Sequence, residues 1–298
     1  MKPTLKTRIA DIVIALGKAM CYLFLFIGMQ TLVSVPYVAA LTLEMMLKTG
    51  WADQAMLYER LVANTTLLTL ISGLLTIVFL LAFYLIRRKK LSDALWLRPV
   101  SVPVLLSGAA MAPGLYLLVG FVLALLPAGW TQSYDQAASG LDNGGVIGVI
   151  AIVIVAPIVE EFVFRGLIMT RLSKALPNWL AAGVAAAIFG ACHGEFVWFC
   201  YAFVLGLLFG LMDLRAGSIW PSILAHLTFN GVGQLLSALS ERTNGESEAV
   251  LVGGLLLVSL AAVIVDRKAI IAMFRPTPLP AAEPSQEPGK YDFDPWEI

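Results

Sequence analysis

The chain contains only two histidines in 298 residues, and both lie in strongly apolar stretches. His193 ends the sequence Phe-Gly-Ala-Cys-His, and His226 begins the sequence His-Leu-Thr-Phe-Asn. A third apolar stretch carries Glu-Glu-Phe-Val-Phe-Arg at residues 160–165. A charged side chain at the centre of a helix in lipid costs roughly 3 kcal/mol or more, so intramembrane ionisable groups indicate function. Both imidazoles and a paired carboxylate therefore predict a catalytic centre rather than a passive anchor.

The two adjacent carboxylates are expected to have different tasks. Glu161 and Arg165 are four residues apart, which is the favourable order for an ion pair within one helix. Glu160 points about 100° away around the helix and has no such partner. Glu160 is therefore free to act as a general base. Pro157 lies one turn before it, and its missing N–H releases a backbone carbonyl and favours a bend in the helix.

The second histidine has a polar neighbour on its own helical face. His226 and Asn230 are four residues apart, so an imidazole and an amide lie side by side. Together they can donate two hydrogen bonds to one developing oxyanion. His193 has no such companion on its face. Asp213 and Arg215 are interpreted as part of a cytoplasmic turn.

The elements that carry these residues are predicted to be transmembrane helices. Hydrophobic residues make up 59% of the chain, charged residues make up 13%, and the mean hydropathy is +0.85. This composition predicts an all-α polytopic membrane protein of about eight transmembrane helices, with a catalytic core formed by the fourth to seventh. The predicted spans are residues 12–36, 65–86, 102–127, 145–170, 178–195, 196–213, 217–239 and 249–265.

These spans divide the chain into four parts. Residues 1–140 hold three helices and their loops, residues 141–240 form the catalytic membrane core, residues 241–266 hold the last helix, and residues 267–298 form a flexible, Pro-rich cytoplasmic tail. Lys and Arg concentrate in the loops on the side of the N-terminus, whereas the other side receives only Lys48, Arg60 and Arg242. The positive-inside rule therefore places both termini in the cytoplasm. The pattern fits a plasma or inner membrane, and an endoplasmic reticulum membrane stays open as an alternative. No nucleic-acid-binding motif is present.

The three motifs resemble those of the CPBP family of intramembrane proteases, which includes CAAX prenyl proteases and bacteriocin-processing enzymes and is also called Abi. The family pattern is EExxxR, then FxxxH, then HxxxN or HxxxD. The chain matches it with Glu160–Arg165, Phe189–His193 and His226–Asn230. The resemblance covers residues 145–235, and three motifs in order on separate spans make it specific.

The resemblance implies an eight-helix glutamate protease of the CAAX endopeptidase type, without a cofactor. Glu160 and His193 would activate the attacking water, and His226 and Asn230 would hold the oxyanion. Glu161 and Arg165 would support the site through their ion pair. The implied partners are the lipid bilayer and a peptide or protein substrate, lipidated or not, that is reached from the membrane.

Two alternatives stay open from the sequence. Glu160, His193 and His226 could bind a catalytic metal ion with water as a fourth ligand, although no HExxH motif is present. Activity that survives exhaustive chelation would eliminate this version. The same polar groups could instead serve a non-enzymatic membrane protein in transport, scaffolding or immunity. Full biological function of a Glu160→Gln protein would favour that second alternative.

Overall fold

The computed structural model describes residues 5–141, 145–243, 252–257 and 259–260, and these ranges contain helices and turns but no β-strand. The all-α prediction is therefore confirmed. The ten helices of residues 5–243 are numbered in chain order: α1 Leu5–Thr49, α2 Gln54–Ala63, α3 Thr65–Ile86, α4 Leu91–Ala94, α5 Val102–Ala124, α6 Ala128–Ala138, α7 Gly145–Leu172, α8 Asn178–Ala191, α9 Phe196–Ala216 and α10 Trp220–Thr243.

Five helices in the described ranges are long and apolar enough to cross a membrane. They are α1 from Thr7, α3, α5, α7 and α9. The shorter α8 and the more polar α10 also match predicted spans, but they do not belong to this set. The predicted eighth span, 249–265, lies largely outside the described residues. A polytopic membrane protein is thus confirmed, and the number of eight spans stays a prediction.

The predicted boundaries are right in some places and wrong in others. The break between the fifth and sixth predicted spans is present: α8 ends at Ala191 and α9 begins at Phe196. Gly194 makes this turn with φ of +73°, which a residue with a Cβ adopts only at a cost. The first helix is longer than predicted and continues through Pro36 to Thr49.

The two carboxylates lie on α7, a helix that is partly π-helical. Two of its segments, Ile150–Val155 and Glu161–Met169, have π-helical winding, and they flank a short α-helical stretch at Ala156–Glu160. π-Helical turns are rare and occur often at functional sites. Side chains of the second π segment are nearly all buried, so α7 forms the centre of the molecule.

The helices meet at two distinct ends. At one end, Arg171 in the last turn of α7 donates to the carbonyl of Ala94 at 3.1 Å, and Ser218 between α9 and α10 donates to the carbonyl of Arg98 at 2.7 Å. We call this the basic end, defined by loops 87–101, 173–177 and 217–219. At the other end, the Tyr134 ring lies 5.8 Å from that of Trp198. We call this the cavity end, defined by segments 50–64, 125–141 and 192–195.

Candidate active site

The two adjacent carboxylates of α7 lie in different environments. The Glu161 side chain has no exposed surface, whereas that of Glu160 is 20% exposed and lines a cavity. Glu161 makes the predicted ion pair, with its Oε2 3.2 Å from Nε of Arg165. The structure therefore places one carboxylate among buried partners and directs the other towards open space.

Arg165 is held by an aromatic ring as well as by Glu161. Its side chain is 1% exposed, and its guanidinium carbon lies 4.4 Å from the centre of the Phe189 ring. A cation over an aromatic face gains electrostatic attraction, more so when both are desolvated. A Cβ on Gly206 would lie 3.3 Å from an Nη atom of Arg165, so a glycine in α9 allows this close approach.

His226 bridges the two carboxylates, which sequence spacing did not predict. Its Nδ1 donates to Oε1 of Glu161 at 2.8 Å, and its Nε2 lies 3.7 Å from Oε2 of Glu160. The contact with Glu161 is a short charge-assisted hydrogen bond. The separation from Glu160 is longer than a hydrogen bond. Because Nδ1 is engaged by Glu161, the orientation of the ring is fixed with Nε2 towards Glu160 and the cavity.

His193 is oriented by its own helix end. Its Nδ1 lies 2.9 Å from the backbone oxygen of Phe189, and a carbonyl can only accept, so Nδ1 carries the proton. The neutral ring then presents Nε2 as a hydrogen-bond acceptor. The imidazole packs 4.8 Å from the Phe189 ring and 5.2 Å from the Trp198 ring. His193 lines the same cavity as Glu160.

Asn230 occupies a position created by Pro157 and the π-helical winding of α7. In the segment Ile150–Val155 a backbone N–H reaches five residues back, as the N–H of Ala156 does to the carbonyl of Ala151. The next partner in this register would be Pro157 for Ile152, but proline has no N–H. The side-chain amide of Asn230 donates to the carbonyl of Ile152 instead, at 2.8 Å. One of the two amide protons is used in this bond.

The carbonyl released by Pro157 thus exists as predicted, but the π-helical register places it on Ile152, one residue earlier than in an α-helix.

The predicted site residues Glu160, His193, His226 and Asn230 all line one cavity of about 420 Å³. Aromatic side chains from three further helices complete its wall. They are Tyr116, Tyr134, Trp198 and Tyr201.

Two polar residues of this region were not predicted as part of the site. Asp213 has no exposed surface and lies inside α9, so its interpretation as part of a cytoplasmic turn is wrong. Its Oδ1 accepts a hydrogen bond from the backbone N–H of Ser222 at 3.1 Å. Its charged neighbours are Glu161 and Arg165. Ser222 could have been predicted from the sequence, because it lies four residues before His226 and so shares its face of α10.

The residues of the cavity do not form a set of metal ligands in this geometry. Among the described residues, no group of three or more His, Cys, Asp and Glu side chains is arranged to hold a metal ion. In both histidines the hydrogen bond to the protein is made by Nδ1, an arrangement also found in metal-ligating histidines, so these bonds do not decide the metal-dependent alternative.

Comparison with known proteins identifies the same part of the chain. Residues 142–232 match the family model of Rce1-like type II CAAX prenyl endopeptidases. This match contains all three motifs and agrees closely with the extent of the resemblance at residues 145–235. The prediction of the family is therefore confirmed.

Two curated proteins are similar to the chain. The "Putative membrane peptidase YdiL" of Bacillus subtilis (strain 168) is 25% identical over 247 residues, which cover 76% of this chain and 96% of that protein. The "Uncharacterized 24.3 kDa protein" of Escherichia coli is 26% identical over 167 residues, which cover 53% of this chain and 76% of that protein. No solved structure matches the chain.

Proposed function

Because the chain belongs to the CPBP family, with residues 142–232 forming its Rce1-like segment, we propose that it is a membrane endopeptidase of the CAAX type that hydrolyses a peptide bond with Glu160 as its base. The observation that carries this proposal is the asymmetry of the two carboxylates. Glu161 is engaged on both sides by Arg165 and His226, whereas Glu160 faces the cavity. A general base must reach the water that it activates, and only Glu160 can do so.

The attack would begin with a water molecule between Glu160 and His193. Glu160 takes a proton from the water as its oxygen bonds to the scissile carbonyl carbon, which gives a tetrahedral intermediate. His193 accepts a hydrogen bond from the same water through Nε2 and so helps to orient its lone pair. Glu160 then passes the proton to the departing amine nitrogen as the carbon–nitrogen bond breaks. The products are a carboxylic acid and an amine, and Glu160 is regenerated.

The oxyanion would be held by His226 and Asn230. Asn230 has a second amide proton besides the one given to Ile152. His226 already donates from Nδ1 to Glu161, so its Nε2 can donate to an oxyanion only when the ring carries both protons. The proposal therefore requires the imidazolium form of His226 during the attack. One lost donor of this kind typically lowers kcat by about 10²–10³-fold.

The direct test is peptide cleavage by purified protein in proteoliposomes. Pools of internally quenched peptides are incubated with the wild type and with Glu160→Gln, and cut sites are identified by mass spectrometry. We expect a loss of about 10²–10⁴-fold in Glu160→Gln, the range for removal of a general base. The matched control is Glu59→Gln, because Glu59 is an exposed carboxylate on α2. Cleavage by Glu160→Gln at the wild-type rate would refute the proposal.

The same assay separates the alternatives. His193→Ala and His226→Ala are expected to lose cleavage while still inserting into the membrane. Exhaustive chelation is expected to leave the rate unchanged, and loss of activity that Zn²⁺ restores would establish the metal-dependent version. If no pool is cleaved and Glu160→Gln retains the biological function in cells, the non-enzymatic role is favoured.

The proposed location follows from the charge of the loops. The basic end carries Lys and Arg at residues 87–90, 98, 171 and 174, which supports a plasma or inner membrane with both termini in the cytoplasm. A peptide or protein substrate and the surrounding lipids are the proposed partners. The division of residues 241–298 into a last helix and a flexible tail stays a prediction.

A further inference from the structure

The residues that line the cavity lie on one side of the site, towards the cavity end of the helix bundle. On α10 its lining runs from His226 through Asn230 and on to Ser237, which is the direction of the cavity end. On α3 it includes Thr65 and Thr69, the first turns after the cavity-end segment 50–64. Ala138 of α6, in the cavity-end segment 125–141, also lines it. Each helix thus contributes the part that lies between the site and the cavity end.

Towards the basic end the site is closed by packed polar groups. Glu161, Arg165, Asp213 and Ser222 are all buried to within 1% of full burial, and none of them lines the cavity. Ser222 is the polar neighbour that Glu161 and Asp213 share. Beyond this cluster, Ile219 donates to the carbonyl of Trp96 at 3.2 Å, which ties the basic-end loops together. A substrate therefore has no described route to Glu160 from that end.

The two ends also differ in charge. Basic side chains crowd the basic end at residues 87–90, 98, 171, 174 and 215. In the segments described at the cavity end the only cation is Arg60, and Lys48 lies nearby in the last turn of α1. Loops rich in Lys and Arg stay on the cytoplasmic side of a membrane. The positive-inside rule therefore assigns the cavity end to the extracytoplasmic side.

We propose that the substrate is an extended segment of an exported polypeptide, which enters the cavity from the extracytoplasmic side and is cut at Glu160. This inference rests on the proposed function for the cutting, but the direction of access is independent of it. The wall of the cavity includes the rings of Tyr134, Trp198 and Tyr201, which pack edge-on and stacked against one another. Such a wall suits apolar side chains of the substrate on either side of the scissile bond.

The direction of access is tested by labelling cysteines in intact cells. The starting protein has Cys21, Cys192 and Cys200 replaced by Ser, and single cysteines are then introduced as Ala138→Cys or Ser92→Cys. Ala138 lines the cavity, and Ser92 is exposed at the basic end. We expect a membrane-impermeant maleimide to label Ala138→Cys in intact cells and Ser92→Cys only after permeabilisation. The reverse pattern would overturn the proposal.

Restored Cys192 probes the deeper part of the cavity beside His193. It is exposed and lines the cavity, so the impermeant reagent should reach it from outside the cell. Reaction of Cys192 with permeant N-ethylmaleimide but not with the impermeant reagent would show that the cavity is closed on that side. The same labelling in Glu160→Gln should be unchanged, since access does not require catalysis.

The substrate class is tested with vesicles of the two orientations. Right-side-out vesicles should cleave the internally quenched peptides added outside, and inside-out vesicles should not until they are permeabilised. Cleavage only by inside-out vesicles would overturn the proposal while leaving the proposed function intact. Labelling as expected without cleavage in either orientation would instead refute the proposed function and, with it, the substrate class.

Discussion

Asn230 donates its side-chain amide to the backbone carbonyl of Ile152 at 2.8 Å, in place of the N–H that Pro157 lacks. The bond joins α10 to α7 at the edge of the cavity. Asn230 therefore has a structural task besides the one proposed at the oxyanion, and the two tasks use different protons of the same amide.

The two tasks of Asn230 can be separated by a double mutant. Asn230→Leu leaves the carbonyl of Ile152 without a partner and should lower the free energy of unfolding by about 1–3 kcal/mol. Pro157→Ala restores a backbone N–H near that carbonyl, so the double mutant should regain much of the stability. It should not regain cleavage. Thermal unfolding in detergent and peptide cleavage are the two measurements, and joint recovery of both would show that Asn230 is only structural.

The adjacent carboxylates should respond oppositely to the same substitution. Glu160→Gln should leave thermal stability unchanged, because the side chain faces the cavity, and should lower cleavage by about 10²–10⁴-fold. Glu161→Gln removes one partner of a buried ion pair, which typically costs about 3–5 kcal/mol. Its yield of folded protein should fall together with activity. Equal stability losses in the two variants would contradict the assignment of separate environments.

Arg165 should be more important for folding than for catalysis. Arg165→Met strands the Glu161 carboxylate in the interior and should cost about 3–5 kcal/mol of stability. Arg165→Lys keeps the charge but loses the planar contact with Phe189, so it should also be destabilised, though less. Combining Arg165→Met with Glu161→Gln removes both charges and should recover part of the folded yield. No recovery in the double mutant would show that the pairing does not explain the loss.

At Asp213, unlike at Glu161 and Arg165, replacing the carboxylate by an amide should not lower stability. Its carboxylate is buried beside Glu161 and accepts from the N–H of Ser222. Asp213→Asn keeps an acceptor for the N–H of Ser222 and cannot carry a charge beside Glu161, so it should be at least as stable as the wild type. Asp213→Leu leaves that N–H unpaired and should lose about 1–3 kcal/mol. Thermal unfolding of both variants decides this, and a destabilised Asp213→Asn would argue for an essential negative charge.

The spacing of residues predicted the contacts that lie within one helix. The pair Glu161–Arg165 and the separate direction of Glu160 follow from helical geometry alone. The contacts between helices did not follow, because spacing does not state which faces meet. The sequence indicated only that His226 and Asn230 share a helical face. In the structure His226 is bonded to Glu161 and Asn230 is bonded to Ile152, both on α7.

The remaining errors come from local context. Asp213 stands two residues before Arg215 at the end of an apolar run, so it has the composition of a solvated turn. In the structure the helix α9 continues to Ala216 and buries it. The π-helical winding of α7 was also not predicted, because a continuous apolar run carries no periodic signal that distinguishes π-helical from α-helical winding. Within α7, Pro157 was the residue whose effect on the backbone could be inferred in advance.

The wide winding of Ile150–Val155 has a consequence for how this chain can vary. Hydrogen bonds in a π-helix reach five residues back rather than four, so a π-helical segment accommodates one residue more than an α-helical segment in the same position. Deleting one residue there would return the segment to α-helical winding or turn Glu160 by about 100° relative to Gly145. The exposed residues Ile150 and Ile154 are therefore open to exchange for other apolar residues, whereas the number of residues in the segment is fixed by the direction in which Glu160 must point.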